Sequence, residues 1–326
     1  MNMMPLALHN IIVACTLVAL WPANLARADQ PTTLRRIGVL LPPEAQFPLG
    51  EGLRDGLRDL GYVEGKTVSF DWRPPGKSEV EMRAVANDFV RSRVDLVVVF
   101  STPAARAVLH ATKLPVVFMA GDPVASGLAR SLAKSGGRAT GVSVLAVDLT
   151  AKRLELLHLA APRARRIAHL VNLANPNNQR QVEAAKQAAQ TLGLETVTLD
   201  VQKGLDAALK QISATGADAV LVGAELFFLV NHANIARELL HMKLPAIFPA
   251  TEYHEAGILM SDGPNLKQAT RRVAAYADKI LKGAAPGDLP VEQISRYELV
   301  INPRMAQTLG LQLSQDLLLR ADEVIR

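Results

Sequence analysis

The stretch "KLPVVFMAGDP", Lys113 to Pro123, decides the fold because it is written again as "KLPAIFPATEY", Lys243 to Tyr253, 130 positions further on. Each copy has a basic residue, Leu-Pro, two small or β-branched apolar residues and Phe. Each follows a helix-like segment and runs into a turn, which reads as a buried strand with proline at its edge. One copy would be only a strand; two raise the question of whether their surroundings repeat as well.

They do. Around the first copy, "RRIGVLLP", "TVSFDW", "DLVVVFS" and "LPVVFMA" read as strands between the helix-periodic "EGLRDGLRDLGY", "EVEMRAVANDFVRSR" and "AARAVLHATK". Around the second, "RIAHLVN", "ETVTLD", "DAVLVGA" and "LPAIFPA" alternate with "QVEAAKQAAQTLG", "LDAALKQISATG" and "NIARELLHMK". Strands that are apolar throughout belong in a parallel sheet covered on both faces. The sequence therefore predicts an α/β protein of two doubly wound parallel-sheet lobes, with the repeated phrase marking the equivalent strand in each. The segment "GLARSLAKSGGRATGVSVLAVDLTAKRLELLHLAAP" reads only as the connection between them.

"ILMSDGP", the long helix "NLKQATRRVAAYADKILKG", the connector "AAPGDLP", the strand "YELVIN" and a last helix follow the second lobe. They are expected to cross back and extend both sheets, so that several crossovers form a hinge. The expected division is lobe one at 29–147 with 264–291 returning to it, and lobe two at 148–263 with 292–326 returning to it. Length agrees, since 326 residues exceed one ordinary core and 49% apolar residues can bury two.

Residues 1–28 are expected to be a secretory signal. An apolar run at Ile11 to Trp21 is followed by Pro22 and by the small-x-small site Ala26-Arg27-Ala28. The export route predicts a periplasmic protein. Two other outcomes are an uncleaved membrane anchor, for which the run is short, and a lipid anchor on Cys15, after which the residues stay apolar. Cleavage after Ala28 removes Cys15, the single cysteine, and leaves no thiol chemistry. The remaining chain has 35 basic and 31 acidic residues, scattered without a stripe or interleaved aromatics, so no nucleic-acid partner is expected.

A polar residue followed by proline recurs at strand ends: Thr102-Pro103, Asp122-Pro123, Asn175-Pro176 and Asn302-Pro303. Such pairs start helices, and a helix start at the carboxyl end of a parallel strand is where open α/β sheets bind ligands and favour anions. The first three are the candidate ligand contacts, and Asn302-Pro303 reads as a cap alone. Walker, HExxH, CxxC and GxSxG signatures are missing. Gly50-x-Gly52-x-x-x-Gly56 has its third glycine one place late for a dinucleotide loop, and no cofactor is expected. The seven histidines show no metal spacing. Glu252, His254 and Glu255 on one loop suit either acid/base work or the rim of a cleft.

"EGLRDGLRDLGYVEGKTVSFDWR", "VDLVVVFSTPAARAVLHATKLPVVFMAGDPVASGLARSLAKSGGRATGVS", "LELLHLAAPRARRIAHLVN" and "ADKILKGAAPGDLPVEQISRYELVINPRMAQTLGLQL" resemble the ABC-transporter substrate-binding proteins of the tryptophan/tyrosine-type branch. The resemblance covers Arg35 to Ile325. It implies the type I periplasmic-binding-protein fold, a small-molecule ligand between two hinged lobes, a permease and its ATPase as partners, and a monomeric receptor that is not an enzyme. It also implies cleft positions: Ser101, Thr102, Pro103 and Ala104; Asp122; Asn175 and Asn177; Glu225; and Gln46 and Phe47 from the loop "PPEAQF". This sequence departs from aromatic-amino-acid relatives at "NLANPNN" and "GAELFF", so the resemblance names no ligand. The expected chemistry puts a ligand carboxylate on the Thr102 helix start, with Asp122 or Glu225 facing an ammonium or hydroxyl. A two-lobed enzyme on a small polar substrate, or a ligand sensor docking to a membrane signalling protein, would use the same cleft.

Overall fold

The described residues of the computed structural model are 34–325, without Lys77, Leu145 and Ala146. The expected signal segment and Cys15 lie outside them. Thr33–Arg326 form one compact unit. Its first half runs β1 (Arg35–Leu40), α1 (Glu51–Asp59), β2 (Val68–Arg73), α2 (Glu79–Arg91), β3 (Leu96–Val99), α3 (Thr102–Ala111), β4 (Val116–Ala120) and β5 (Ala139–Ser143). The second half runs α4 (Asp148–Ala160), β6 (Arg166–Val171), α5 (Pro176–Leu192), β7 (Glu195–Asp200), α6 (Leu205–Thr215) and β8 (Ala219–Val222). It continues through α7 (Leu226–Val230), α8 (His232–His241), β9 (Ala246–Phe248) and β10 (Met260–Gly263). The chain then returns as α9 (Leu266–Leu281) and β11 (Val291–Gln293) on the first sheet, and as β12 (Glu298–Ile301), α10 (Pro303–Thr308), α11 (Gln315–Leu319) and β13 (Glu323–Val324) on the second half.

The first sheet has the order β11-β5-β4-β3-β1-β2 and the second β13-β12-β10-β9-β8-β6-β7. All pairings are parallel except β10 with β12. The two "KLP" strands hold the same slot: β4 lies between β3 and β5, and β9 between β8 and β10. The fold is thus two doubly wound lobes of the type I periplasmic-binding kind, joined by three crossings, the first between β5 and α4 and the others at 264–265 and 294–297. β11 keeps the chain in the first sheet through Gln293, past the expected boundary at 291.

Burial on both faces explains the unbroken apolar strands. Val97, Val99, Val116 and Phe118 pack with Phe89 of α2 and Val108 of α3 on one side. Their neighbours Leu96, Val98, Val117 and Met119 turn to the other side, toward Leu53 of α1 and Val273 of α9. Gly52 and Gly56 serve that second contact: a Cβ on either would come within 2.6 Å of α9, at Lys267 O and Ala274 Cβ respectively. The glycine spacing that resembles a dinucleotide loop is therefore a helix-packing seam.

Two expected helix starts differ in the structure. Ser101, not Thr102, caps α3: its Oγ accepts the Ala104 N–H at 3.3 Å, and Thr102 is the first helical residue. No helix follows Asp122-Pro123; Asp122 Oδ1 accepts the Ala125 N–H at 3.0 Å and closes a turn. Asp-Pro opens turns as readily as helices, because proline sets the same φ in both. Asn175 and Asn302 do cap α5 and α10, through the Asn177 and Met305 N–H groups at 3.0 Å each.

Candidate ligand-binding site

The carboxyl ends of the strands of both sheets meet around a cavity of about 680 Å³, its mouth included. Apolar wall comes from both halves, among it Leu49, Phe100, Met119, Leu226, Leu229 and Tyr253. Among the described residues, the polar wall comes from Ser101, Thr102, Arg153, Asn175, Asn177 and Glu225, beside the phenol of Tyr253. Few polar groups converging in an apolar cleft is the composition of a small-molecule site.

On the first-half side, two of the N–H groups at the start of α3 are taken by its own chain. Ser101 Oγ and Ser101 O take the Ala104 and Ala105 N–H groups, and Pro103 has none. The Thr102 hydroxyl, 1% exposed, accepts a hydrogen bond at 2.8 Å from Asn177 Nδ2, which reaches across from α5. Gly121 permits this approach, since a Cβ there would sit 2.9 Å from Asn177 Nδ2. A second bridge between the halves joins Arg180 Nη1 to Asp122 Oδ2 at 2.6 Å. Burial pushes the Asp122 carboxyl up, but the Ala125 and Val124 amides and the Arg180 charge outweigh it and hold it below its ordinary value.

The second half carries a built polar network. Glu225 accepts three amide hydrogen bonds at 2.8 Å each: Asn172 on Oε1, and Asn175 and Asn178 on Oε2. Asn178 Oδ1 in turn accepts from Gln181 Nε2, and Gln181 Oε1 accepts the Ala224 N–H beside the glutamate. Burial pushes the Glu225 carboxyl above its ordinary value, with Asp200 adding to the push while the three amides oppose it. Arg153 of α4 reaches the cavity with 1% exposure, its Nε donating to Asp262 O at 2.8 Å. Burial lowers its pKa to about 10 against the pull of Asp262, which leaves it a cation at neutral pH. Tyr253 stacks edge-on against His232 and tilts against Phe248, and burial pushes its phenol up, so it stays neutral.

Of the residues singled out from the sequence, Ser101, Thr102, Asn175, Asn177 and Glu225 come together on this wall. Gln46, Phe47, Pro103, Ala104 and Asp122 do not line it. Gln46 Oε1 accepts from Arg54, Phe47 is 43% exposed and its neighbour Leu49 faces the cleft instead, and Asp122 is committed to Arg180. Pro103 and Ala104 lie on the helix beyond the wall, with Ala104 packed in the outer core. Glu252 does not line the cavity either; it accepts the Lys267 N–H at 2.9 Å and so fixes the start of α9. Arg153 and Tyr253 are cavity residues that sequence reasoning missed. The nearest signal was the second "KLP" copy, whose end carries Tyr253, whereas Arg153 lies in the unassigned connection between the lobes.

Two facing doubly wound lobes, three crossings and a polar-lined cleft define a two-lobed binding protein. The chain belongs to the ABC transporter substrate binding protein family, whose model matches residues 37–325. It is 28% identical over 266 residues to the tyrosine-binding protein of Clostridioides difficile (strain R20291), covering 80% of this chain and 76% of that one. The solved ABC domain from Streptococcus pneumonia in complex with L-Trp is 28% identical, with a TM-score of 0.80 over 90% of this chain and all of that one. A conserved domain protein from Vibrio cholerae gives a TM-score of 0.82 at the same identity and coverage. Among the described residues no helix is long and apolar enough to cross a membrane.

Proposed function

We propose that this chain is the exported solute receptor of an ABC importer. It captures a small polar solute, an amino acid or a related carboxylate, between its lobes and delivers it to the permease and its ATPase from the periplasmic side. The observation that carries this reading is the cleft itself: charged and amide groups of the second half face an apolar first-half wall, and Asn177 to Thr102 bridges the gap. The tyrosine-binding and L-Trp-bound relatives support the amino-acid class.

The mechanism follows from the bridges. Solute bound to the second half adds contacts that only the closed arrangement completes, so it shifts the population of lobes toward closure. Converting a mostly open receptor to a mostly closed one needs about 5.5 kcal/mol of preference for the closed form. Two charge-assisted contacts and burial of an apolar side chain supply that order of energy. Closure also brings surfaces of the two lobes into one register, which a permease can read.

A thermal-shift screen of amino acids, aromatic acids and other small solutes tests the reading, with mass spectrometry of whatever co-purifies. At least one small polar solute should raise the melting temperature at micromolar concentration. No shift across the screen together with no co-purifying solute would overturn it.

A further inference from the structure

Among the described residues, Arg153 is the only cationic side chain on the cavity wall, and Glu225 the only anionic one. The Arg153 Nε is tied to Asp262 O, but its two terminal nitrogens have no hydrogen-bond partner among the described residues. Asp262 does not take them: its Oδ1 accepts from Lys152 Nζ at 2.6 Å, and its Oδ2 has no partner among the described residues. A guanidinium presents its donors as a planar fork that matches a carboxylate. On the cavity wall such a fork, with no acceptor from the described residues, is complemented by an anionic occupant.

The complementary feature is on α5 and at the start of α7. Asn177 Oδ1 is buried and has no donor among the described residues, although its Nδ2 is held by Thr102. Glu225 already accepts three amide hydrogen bonds, and its two oxygens have about four lone-pair sites, so one remains for a donor from the cavity. The wall therefore offers a free two-pronged donor with positive charge, and two acceptors that carry one negative charge between them. Phe100, Met119, Leu226 and Leu229 supply apolar surface.

We propose that Arg153 is the carboxylate anchor of this site and that Glu225 with Asn177 Oδ1 takes the solute's ammonium group. This rests on the receptor reading above, its amino-acid class included, and names the groups that hold the two ends of the solute. A neutral sugar would leave both charges facing only hydroxyls. A dicarboxylate would set its second charge against Glu225, and a diamine would set one against Arg153. The anchor also moves the carboxylate away from the α3 start, where Ser101 already takes the Ala104 and Ala105 N–H groups.

Isothermal titration of the mature protein with the twenty standard amino acids identifies the tightest binder, and two analogues of it then decide. The decarboxylated amine and the deaminated acid should each bind at least about 30-fold more weakly, as expected for loss of one charge-assisted contact. Arg153→Gln should lose the amino acid by a similar factor while binding the decarboxylated amine as the parent does, a pattern that mere loosening of the fold would not give. Arg153→Lys should recover part of the loss. Should Arg153→Gln not fold, the analogue series on the parent protein decides alone. Equal binding of amine and amino acid, or unchanged amino-acid binding by Arg153→Gln, overturns the proposal. If no amino acid binds but a neutral solute co-purifies, the proposal fails and the receptor reading stands; if no solute of any kind is held, both fall.

Discussion

Where β4 ends, the first half offers Met119, Ala120 and Gly121 to the cleft; where β9 ends, the second half offers Pro249, Ala250 and, a turn later, Tyr253. Topology makes these ends equivalent, yet the chemistry around them is not. Among the described residues, the charged side chains on the cavity wall, Arg153 and Glu225, belong to the second half, whereas the first half adds the Ser101 and Thr102 hydroxyls to apolar surface. The first half's acid at this edge, Asp122, is paired outside the wall with Arg180. Duplication thus supplied two similar frames, one of which became a charged platform and the other a mostly apolar lid. The division has a physical advantage. Groups that are costly to desolvate are held in place within one lobe by the asparagine network, so closure need not organise them.

The sharpest way to break this contrast is to disarm the platform. Glu225→Gln keeps the shape but sets a fourth amide among three amide donors, and should weaken amino-acid binding by about 100-fold in a titration. A loss under tenfold would show that the platform is not where binding energy resides.

The platform should also be the acid-sensitive half. His169 on β6 is buried with both ring nitrogens unpartnered among the described residues, and its pKa is pushed down to about 3 by burial and then by the Arg153 charge. Below about pH 6.5 the unfolded chain binds a proton that the native protein does not, so stability falls with pH, approaching about 1.4 kcal/mol per unit until pH nears 3. By pH 5 the loss is about 2 kcal/mol. His169→Leu should flatten that part of a plot of melting temperature against pH; an unchanged acid limb would assign the sensitivity elsewhere.

The lid should matter less. Thr102→Val removes the acceptor for Asn177 Nδ2 and should weaken binding about fivefold, the scale of one hydrogen bond, with little change in melting temperature. A loss as large as that of Glu225→Gln would erase the distinction between the halves. Smallest of all is Arg180→Ala. Its ion pair with Asp122 is partly exposed and worth about 0.5 kcal/mol, so affinity should fall about twofold, and the difference should vanish at high salt. Because the Asp122 pKa is held below its ordinary value, the bridge persists as pH falls through the ordinary aspartate range and is lost only when that carboxylate protonates in stronger acid.

The sequence made the frame legible where burial on both faces leaves an unbroken apolar run, as at "LVVV" and "VVFMA". It hid β5, written "ATGVS", because Thr140, Gly141 and Ser143 carry no apolar pattern and are buried by neighbouring strands. It hid α4 for a related reason, since Arg153 is buried beside Leu154 and Leu157 and blurs the helix's polar face. An arginine in "AKRLELL" reads as a solvated side chain, and only the tertiary position of β10 makes it a cavity residue. Asn175 was legible because an Asn-Pro start has a local meaning, whereas Asn177 was named through resemblance. Glu225 came from resemblance alone, and its asparagine partners were invisible because they assemble through space.

The most direct test is a crystal structure with the tightest-binding amino acid of the screen. The platform-and-lid account predicts the solute carboxylate on the Arg153 fork, its ammonium between Glu225 and Asn177, and its side chain against Phe100 and Met119. A solute whose charged groups sit instead on Ser101 and Gly121 of the first half, or one bound outside the cleft, would contradict it.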